Sequence, residues 1–483
     1  MRTLENFVDG AWVRSSGTTL LDVKNPATGE LLAQCPLSTA EDVDRAVKAA
    51  KAAFPAWRAT PVVQRARYLF KFKALLDEHK EELAELCTRE HGKTIQESRN
   101  DVGRGIENVE HACGAPTLML GQMLEDVSSG IDCTSVRQPL GVFAAITPFN
   151  FPPMVPLWFL PYAIAYGNTF VLKPSEQVPL TQRRIFELLA ETGLPKGVVN
   201  LVNGGKDVVN GLCEHPDIQG VSFVGSTKIA RHVYEAAGKH GKRVQALGGA
   251  KNYLVVMPDA VMDRSMQNVS DSTFGCSGQR CLAGSMIIGV GEAYERVKQG
   301  LLEAAKAIVL GDGMQPGVTM GPVISAAARD RILGLINRGV EEGATLLLDG
   351  RKAQPTGGKA EGNWLGPTIF ENVTPSMTIA TEEIFGPVAC LMKAKDLNEA
   401  IELANASPYG NAHSLYTSSG KAAHEFQYRI HSGMLGINIG VAAPMAFFPF
   451  GGAKHSFFGD VKAHGQASVD FYTDRKVSIT RWF

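Results

Sequence analysis

From residue 140 onward, short apolar runs rich in β-branched residues alternate with longer amphipathic stretches, and this alternation constrains the fold most strongly. The predicted strands cover residues 141–146, 169–172, 198–202, 221–224, 244–247 and 254–257. Helices are predicted over residues 182–191, which precede the stop signal Gly193-Leu194-Pro195, and from Ser226 to about residue 237. Strands that alternate with helices predict an α/β fold with a mostly parallel sheet covered on both faces.

The two ends of the chain carry further predicted elements. Helices are predicted over residues 39–53 and 62–91, a polar excursion rich in β-branched residues over 123–137, and strands over 471–473 and 477–480. The stretch from Thr39 to Asp42 resembles a capping box, in which each of two residues satisfies a free N–H group at a helix start.

Charge and hydropathy exclude several classes of partner. Lys and Arg number 48 against 49 Asp and Glu, whereas a nucleic-acid or anionic-membrane binder normally has a basic excess. No charge occurs between Arg137 and Lys173, but five prolines interrupt the middle of this stretch, between residues 148 and 161, and remove backbone donors. We therefore expect it to be buried in protein rather than in lipid.

Eight cysteines occur among 483 residues, and none belongs to a CxxC pair. This density is far below that of disulfide scaffolds, so we expect reduced thiols and no metal site. The first ten residues contain no apolar secretory segment, and no Arg- and Ser-rich leader is present, which favours a cytoplasmic location.

Two short sites could carry chemistry. Gly225 and Ser226 form a turn into a helix start, where free N–H groups can bind a pyrophosphate, although many β–α junctions look similar. Lys173 and Glu176 follow another strand and could bind ribose hydroxyls or form an ordinary ion pair.

Cys281 is the candidate nucleophile because glycines surround it and the adjacent Arg280 could lower its thiol pKa. An inert buried cysteine is the alternative. Hydrolase chemistry with one of the 11 histidines is neither supported nor excluded by the sequence.

Seven motifs in a fixed order narrow these alternatives. They are Pro148-Phe149-Asn150-Phe151-Pro152, Lys173-Pro174-Ser175-Glu176, Gly225-Ser226-Thr227, Leu247-Gly248-Gly249, Gly278-Gln279-Arg280-Cys281, Glu382-Glu383-Ile384-Phe385-Gly386-Pro387-Val388 and Pro449-Phe450-Gly451-Gly452. Together they resemble the NAD(P)-dependent aldehyde dehydrogenase superfamily over essentially the whole chain.

The resemblance implies a division into three parts. A Rossmann-like NAD-binding domain would comprise residues 1–120 and 139–246, and an α/β catalytic domain residues 247–452. A small β element for oligomerisation would comprise residues 121–138 and 453–483. The family relationship further implies a homotetramer built as a dimer of dimers.

The resemblance also implies a role for each site residue. Cys281 would be the catalytic thiol, and the side chain of Asn150 would stabilise the oxyanion together with the Cys281 backbone N–H group. NAD would be preferred over NADP, because the Glu176 carboxylate repels a 2′-phosphate. The cofactor-binding residues implied by the family are Phe149, Lys173, Glu176, Gly225, Ser226, Leu247, Glu383 and Phe385.

One departure from the family pattern is informative. Members usually have Glu before Leu-Gly-Gly as the base that activates the hydrolytic water, whereas this chain has Ala246. Alanine cannot accept a proton, so the thioester on Cys281 needs another acceptor, and the thiol of coenzyme A is the obvious one.

The missing base matches the acylating branch of the superfamily, which oxidises methylmalonate or malonate semialdehyde and loses the β-carboxylate. The stretches Asp101 to Glu110, Gly249-Ala250-Lys251-Asn252 and Ser456 to Asp460 also resemble this branch. Its products are propionyl-CoA and acetyl-CoA.

The carboxylate of such a small-molecule substrate should meet cations, and we expect Arg104 and Arg280 to bind it. Arg104 could instead pair with Asp101 or Glu107 on its own helix. The alternative functions are a hydrolytic enzyme that produces a free acid and a non-catalytic relative with the same fold.

Overall fold

The structure is a computed structural model that describes residues 2–357 and 361–483. Its strands, in chain order, are Asn6–Val8 (β1), Ala11–Val13 (β2), Leu20–Lys24 (β3), Leu31–Pro36 (β4), Gln122–Ser128 (β5), Ile131–Pro139 (β6), Val142–Ile146 (β7), Thr169–Lys173 (β8), Val199–Leu201 (β9), Ile218–Val224 (β10), Arg243–Leu247 (β11), Asn252–Val256 (β12), Gly284–Val290 (β13), Thr345–Leu348 (β14), Thr368–Glu371 (β15), Val388–Ala394 (β16), Tyr409–Gly410 (β17), Ala412–Tyr416 (β18), Met434–Ile437 (β19), Ala453–Lys454 (β20), Phe457–Gly459 (β21) and Thr473–Arg481 (β22).

The helices are, in the same order, Ala40–Ala59 (α1), Val62–Glu78 (α2), Lys80–His91 (α3), Ile95–Cys113 (α4), Ala115–Leu118 (α5), Met154–Leu157 (α6), Leu160–Ala165 (α7), Pro179–Glu191 (α8), Lys206–Glu214 (α9), Thr227–Lys239 (α10), Met262–Phe274 (α11), Ala293–Lys306 (α12), Ala326–Glu341 (α13), Thr378–Thr381 (α14), Leu397–Ala406 (α15), Gly420–Arg429 (α16) and Gly465–Tyr472 (α17).

Two large sheets form the frame of the molecule. The first has the order β2-β1-β9-β8-β7-β10-β11-β21, and the five strands from β9 to β11 are parallel. The second has the order β14-β15-β16-β13-β12-β18-β19 and is parallel from β15 to β19. Buried apolar clusters lie on both faces of each sheet, as the alternation of strands and helices predicts.

A third, antiparallel sheet joins β22, β6 and β5. The C-terminal segment is shared between this sheet and the first one, because β21 pairs with β11 while β22 pairs with β6. Several apolar side chains of the third sheet are exposed, namely Met123, Leu124, Val127, Val136, Val477 and Ile479.

Three predicted elements differ from the structure. The helical run 62–91 is divided at His79, because the acidic Glu81 and Glu82 start a new helix whose first turn they stabilise. The first helix extends to Ala59, beyond the predicted end. Residues 471 and 472 are the end of α17 rather than strand, since their aromatic side chains are buried there.

The uncharged stretch between Arg137 and Lys173 forms β7, the short helices α6 and α7, and β8, and most of it is buried. No helix formed by the described residues has the length and apolar character needed to cross a lipid bilayer.

Candidate active site

Cys281 lies just before β13, at a point where two strands fix its backbone. Its carbonyl oxygen accepts hydrogen bonds from the side-chain amide of Asn252 at 2.9 Å and from that of Asn411 at 2.8 Å. Burial, together with the nearby Glu383 carboxylate, raises the pKa of the Cys281 thiol to about 12. Backbone N–H groups of Cys281 and Leu282 oppose this rise, and Arg280 makes the smallest opposing contribution.

The turn that precedes Cys281 has an unusual backbone. Cys276, Ser277 and Gly278 all have left-handed φ angles, at 48°, 54° and 68°. The Glu97 carboxylate accepts a hydrogen bond from the Cys276 N–H group and pairs with Arg280 at 3.0 Å. A side chain of α4 therefore holds the turn that carries the candidate nucleophile.

Seven of the predicted site residues line one opening, which we call the Glu383 cleft, with a volume of about 310 Å³. They are Phe149, Asn150, Gly225, Ser226, Cys281, Glu383 and Phe385. The cleft lies where β7 and β10 end, and the carboxyl ends of parallel strands are the usual position for ligands in such sheets.

The Gly225–Ser226 turn leads from β10 into α10. The Gly225 N–H group donates to the Leu247 carbonyl at 3.0 Å, which ties the turn to β11. Ser226 stands at the N-cap position, as predicted, but its side chain makes no capping hydrogen bond. The first N–H groups of α10, which follow the cleft residue Ser226, therefore have no side-chain cap from Ser226.

Glu383 reaches the cleft from the second sheet. Its carboxylate accepts a hydrogen bond from the Ala250 N–H group at 3.0 Å. Burial raises the pKa of Glu383 to about 7, against the opposing charges of Lys251 and Arg331. A Cβ atom on Gly249 would come within 2.5 Å of the carboxylate, so glycine is required for this close approach.

Three predicted cofactor residues are not among those that line the Glu383 cleft. Lys173 ends β8 and forms an ion pair with Glu176 at 2.7 Å, with Lys173 buried and Glu176 partly exposed. Leu247 is buried in the apolar cluster of the first sheet. Ala246, the position of the missing base, is fully buried in the cluster on the other face of that sheet.

A second opening of about 190 Å³, the Arg104 cavity, also contains Cys281. Arg104 and Arg280 both line it, as predicted for a carboxylate site. Arg104 also pairs with Glu107 at 2.7 Å and donates to the Pro444 carbonyl at 2.7 Å. It therefore forms the ion pair within its own helix that was the alternative to substrate binding. The rest of the lining combines three acidic residues, Glu97, Asp101 and Glu107, with apolar side chains, among them Phe151, Met154, Trp158, Leu282, Val441, Ala446 and Phe450.

Asn150 is a buried residue that lines the Glu383 cleft. Its side-chain amide donates to the Gln279 carbonyl at 3.1 Å, two residues before Cys281. An amide has two N–H bonds, so one donor remains for an oxygen atom bound beside the thiol. A spare N–H group of this kind is what an oxyanion donor needs.

The sequence reasoning missed several residues that position the site. They are Lys93, Glu97, Asn252 and Asn411, together with the contact of Asp101 to the loop that carries Asn150. Asn252 and Asp101 occur in stretches that resemble the acylating branch, but no spacing in the sequence indicates their contacts. Lys93 and Asn411 carry no signal that could have identified them.

The aldehyde dehydrogenase family model matches residues 12–478. The chain belongs to the aldehyde dehydrogenase family. It is 52% identical to malonate-semialdehyde dehydrogenase 1 of Geobacillus kaustophilus, over 99% of this chain and 98% of that one.

Solved structures of the family agree with the fold. A protein of Sinorhizobium meliloti assigned as methylmalonate-semialdehyde dehydrogenase, solved with NAD, superimposes with a TM-score of 0.98 at 43% identity and covers 100% of this chain and 98% of that one. Methylmalonate-semialdehyde dehydrogenase of Oceanimonas doudoroffii gives 0.97 at 44% identity, over 100% and 99% of the two chains.

Proposed function

We propose that this aldehyde dehydrogenase oxidises malonate semialdehyde, methylmalonate semialdehyde or both, with NAD and coenzyme A, to acetyl-CoA or propionyl-CoA. The observation that carries the proposal is that Cys281 belongs to two openings at once. One opening contains five of the eight predicted cofactor residues, and the other contains two arginines among apolar and acidic side chains.

The Glu383 cleft fits a dinucleotide. The helix start after Gly225 offers N–H groups to a pyrophosphate, and Glu383 offers a hydrogen-bond acceptor to ribose hydroxyls. Phe385 contacts Phe149 edge to face, with ring centroids 5.8 Å apart, and together they form an apolar wall for a nicotinamide ring. When bound, NAD would supply a hydride acceptor.

The residues of the chain would perform the following steps. The Cys281 sulfur, as a thiolate, attacks the aldehyde carbon, and the new oxyanion accepts hydrogen bonds from Asn150 and from the Cys281 N–H group. After oxidation the acyl group remains on Cys281 as a thioester. The bond between the α carbon and the β-carboxylate breaks and releases CO2, or bicarbonate once water has added, and the α carbon takes up a proton from solvent. The thiol of coenzyme A then attacks the acyl carbon and displaces the Cys281 thiolate.

Ala246 favours transfer to coenzyme A over hydrolysis. Neither alanine nor the apolar residues around it can accept a proton from water, so hydrolysis of the thioester lacks its usual base. The competing function, a hydrolytic enzyme that releases a free acid, would need a different base.

The deciding experiment follows NADH absorbance with malonate semialdehyde, with and without coenzyme A, and identifies the acyl product by mass. We expect sustained turnover only with coenzyme A, and acetyl-CoA as the product. Steady turnover without coenzyme A would support the hydrolytic alternative, and a complete lack of NADH would support a non-catalytic relative.

The same proposal includes three finer points. Glu176, oriented by Lys173, would repel a 2′-phosphate and favour NAD over NADP. The first sheet with its helices would be the NAD-binding domain, the second sheet the catalytic domain and the third sheet the oligomerisation element. A homotetramer in the cytoplasm is proposed on the family relationship, and size-exclusion chromatography with light scattering tests the assembly.

A further inference from the structure

We propose that the buried ion pair between Lys93 and Asp101 positions Asn150 for oxyanion stabilisation. The inference rests on the proposed function, because it assumes that Asn150 binds the oxyanion. Both residues are positioning residues, since they act through Asn150 and through the loop that carries it.

The contacts of Lys93 point directly at this loop. Its ammonium group lies 2.8 Å from Asp101 Oδ2 and donates to the Asn150 backbone carbonyl at 2.7 Å. The same nitrogen lies 4.3 Å from the centroid of the Phe151 ring. Each of its three partners is therefore either Asp101 or part of the segment that contains Asn150.

Asp101 holds the other end of the same segment. Its Oδ1 atom accepts a hydrogen bond from the Met154 N–H group at 3.1 Å, while Oδ2 receives Lys93. The Lys93–Asp101 pair thus fixes a carbonyl at residue 150 and an N–H group at residue 154. The loop between them has little freedom to shift relative to α4.

The Asn150 side chain is fixed from the opposite direction by the Gln279 carbonyl, which belongs to the thiol-bearing loop. The remaining amide hydrogen can point at one place only if the backbone of Asn150 does not move. A misplacement of about 1 Å in an active site can reduce the rate about 10²-fold, which makes a rigid backbone here functionally valuable.

Stability alone does not account for this pair. Both side chains are fully buried, with 0% of their surface exposed. Burying two charges requires removing them from water, and well-packed apolar residues often stabilise a protein equally well or better. The pair offers something that apolar residues do not, which is directional hydrogen bonds to a chosen carbonyl and a chosen N–H group.

The test uses five variants of the full-length enzyme, each assayed for NADH formation with malonate semialdehyde; the fifth combines Lys93→Met with Asn150→Ala. Lys93→Met removes the ammonium group, and the double variant Lys93→Met/Asp101→Leu also removes the charge that would be left unpaired. Arg99→Met is the matched control. Arg99 lies on α4, as Asp101 does, and this change removes its exposed ion pair with Glu81. Asn150→Ala is the reference for loss of the oxyanion donor.

We expect kcat to fall by about 10–100-fold in Lys93→Met and in the double variant, somewhat less than the about 10²–10³-fold loss of an oxyanion donor. The KM for NAD and the rate of Cys281 alkylation should change by about twofold or less, the usual scatter for independent sites. Arg99→Met should retain the wild-type kcat.

A double-mutant cycle separates positioning from general destabilisation. Adding Lys93→Met to Asn150→Ala should cause little further loss, because the group that Lys93 positions is already absent. Multiplicative losses, or a wild-type kcat in the Lys93→Met/Asp101→Leu enzyme, would overturn the inference. An Asn150→Ala enzyme with full activity would instead remove the oxyanion role in the proposed function, and the inference with it.

Discussion

The Glu383 cleft is walled mainly by loops at the ends of strands, whereas the Arg104 cavity is walled by side chains of α4 and of a distant loop near residue 444. The cleft lining includes three glycines, Gly225, Gly248 and Gly249, which belong to short motifs in the sequence. In the cavity, the two arginines already pair with Glu97 and Glu107. Under the proposed function, cofactor binding would therefore depend on backbone shape, while substrate choice would depend on a few charges.

The largest expected effect concerns the residue that both openings share. Cys281→Ala should abolish NADH formation, because it removes the thiol proposed to carry the thioester, yet leave NAD affinity largely intact. Stopped-flow absorbance and calorimetric titration with NAD measure the two properties. Cys276→Ala is the matched control, since this neighbouring thiol lines the Arg104 cavity. A normal NADH burst from Cys281→Ala would refute the assignment.

The second expectation concerns the ionisation of that thiol in the enzyme without ligands. Because burial raises the pKa of Cys281 to about 12, the thiol stays protonated at neutral pH. Only the thiolate reacts, so alkylation should accelerate about tenfold per pH unit, or about 100-fold from pH 7 to pH 9. Mass spectrometry can follow the modified peptide. A plateau below pH 9 would mean that a cation or another donor stabilises the thiolate.

The third expectation isolates the Arg104 cavity. Arg104→Leu should lower kcat/KM for malonate semialdehyde by roughly 30-fold or more. The reason is that leaving the buried carboxylate of the substrate unpaired costs roughly 2–5 kcal/mol. Propanal has no carboxylate and should be almost unaffected. Arg280→Leu should lower kcat/KM for both aldehydes, since Arg280 and Glu97 hold the turn before Cys281. Equal losses for both aldehydes in Arg104→Leu would reduce Arg104 to a structural role.

The fourth expectation tests the missing base. Ala246→Glu should raise CoA-free turnover, but by much less than the roughly 10²–10⁴-fold effect of a well-placed base, because position 246 is fully buried. The Tm should also fall, since an unpaired polar group is costly in an apolar cluster. Ala246→Gln is the control, because glutamine has nearly the same shape as glutamate but cannot accept a proton from water. Equal rates of turnover without coenzyme A in the two variants would show that hydrolysis does not depend on a base at this position.

The smallest effect isolates the cofactor side. Glu176→Gln should reduce the preference for NAD over NADP by about fivefold or less. A partly exposed charge contributes at most about 1 kcal/mol, which corresponds to about fivefold. The ratio of kcat/KM for the two cofactors measures it, and kinetics with saturating NAD serve as the control. A wild-type enzyme that uses both cofactors equally would contradict the proposed role of Glu176.

The same contrast explains what the sequence could predict. The five parallel strands of the first sheet and β12 were predictable, because apolar runs are local patterns. In the Glu383 cleft, a local glycine turn indicated Gly225 and Ser226, whereas Glu383, Phe385 and Phe149 followed only from the resemblance to the family. The Arg104 cavity was only partly predictable. Arg104 and Arg280 were identified through the substrate's charge, whereas Lys93 and Asn411 reach the site through contacts between elements far apart in sequence.

Two of the secondary-structure predictions were wrong because the local sequence pattern does not contain the information that decides them. The aromatic residues at 471 and 472 suit a buried strand or a buried helix equally well, and only packing decides between them. The division of the helical run at His79 changes the direction of the chain without interrupting its apolar pattern.

The pairing of β21 with β11 has a consequence for synthesis of the protein. The edge of β11, which ends at Leu247, obtains its partner only when residues 457–459 have been made, about 210 residues and roughly 10–40 s later at typical ribosome speeds. During this interval the nascent sheet presents an unpaired strand edge, which can pair with other chains. The growing polypeptide therefore depends on its last segment to close that edge and prevent aggregation.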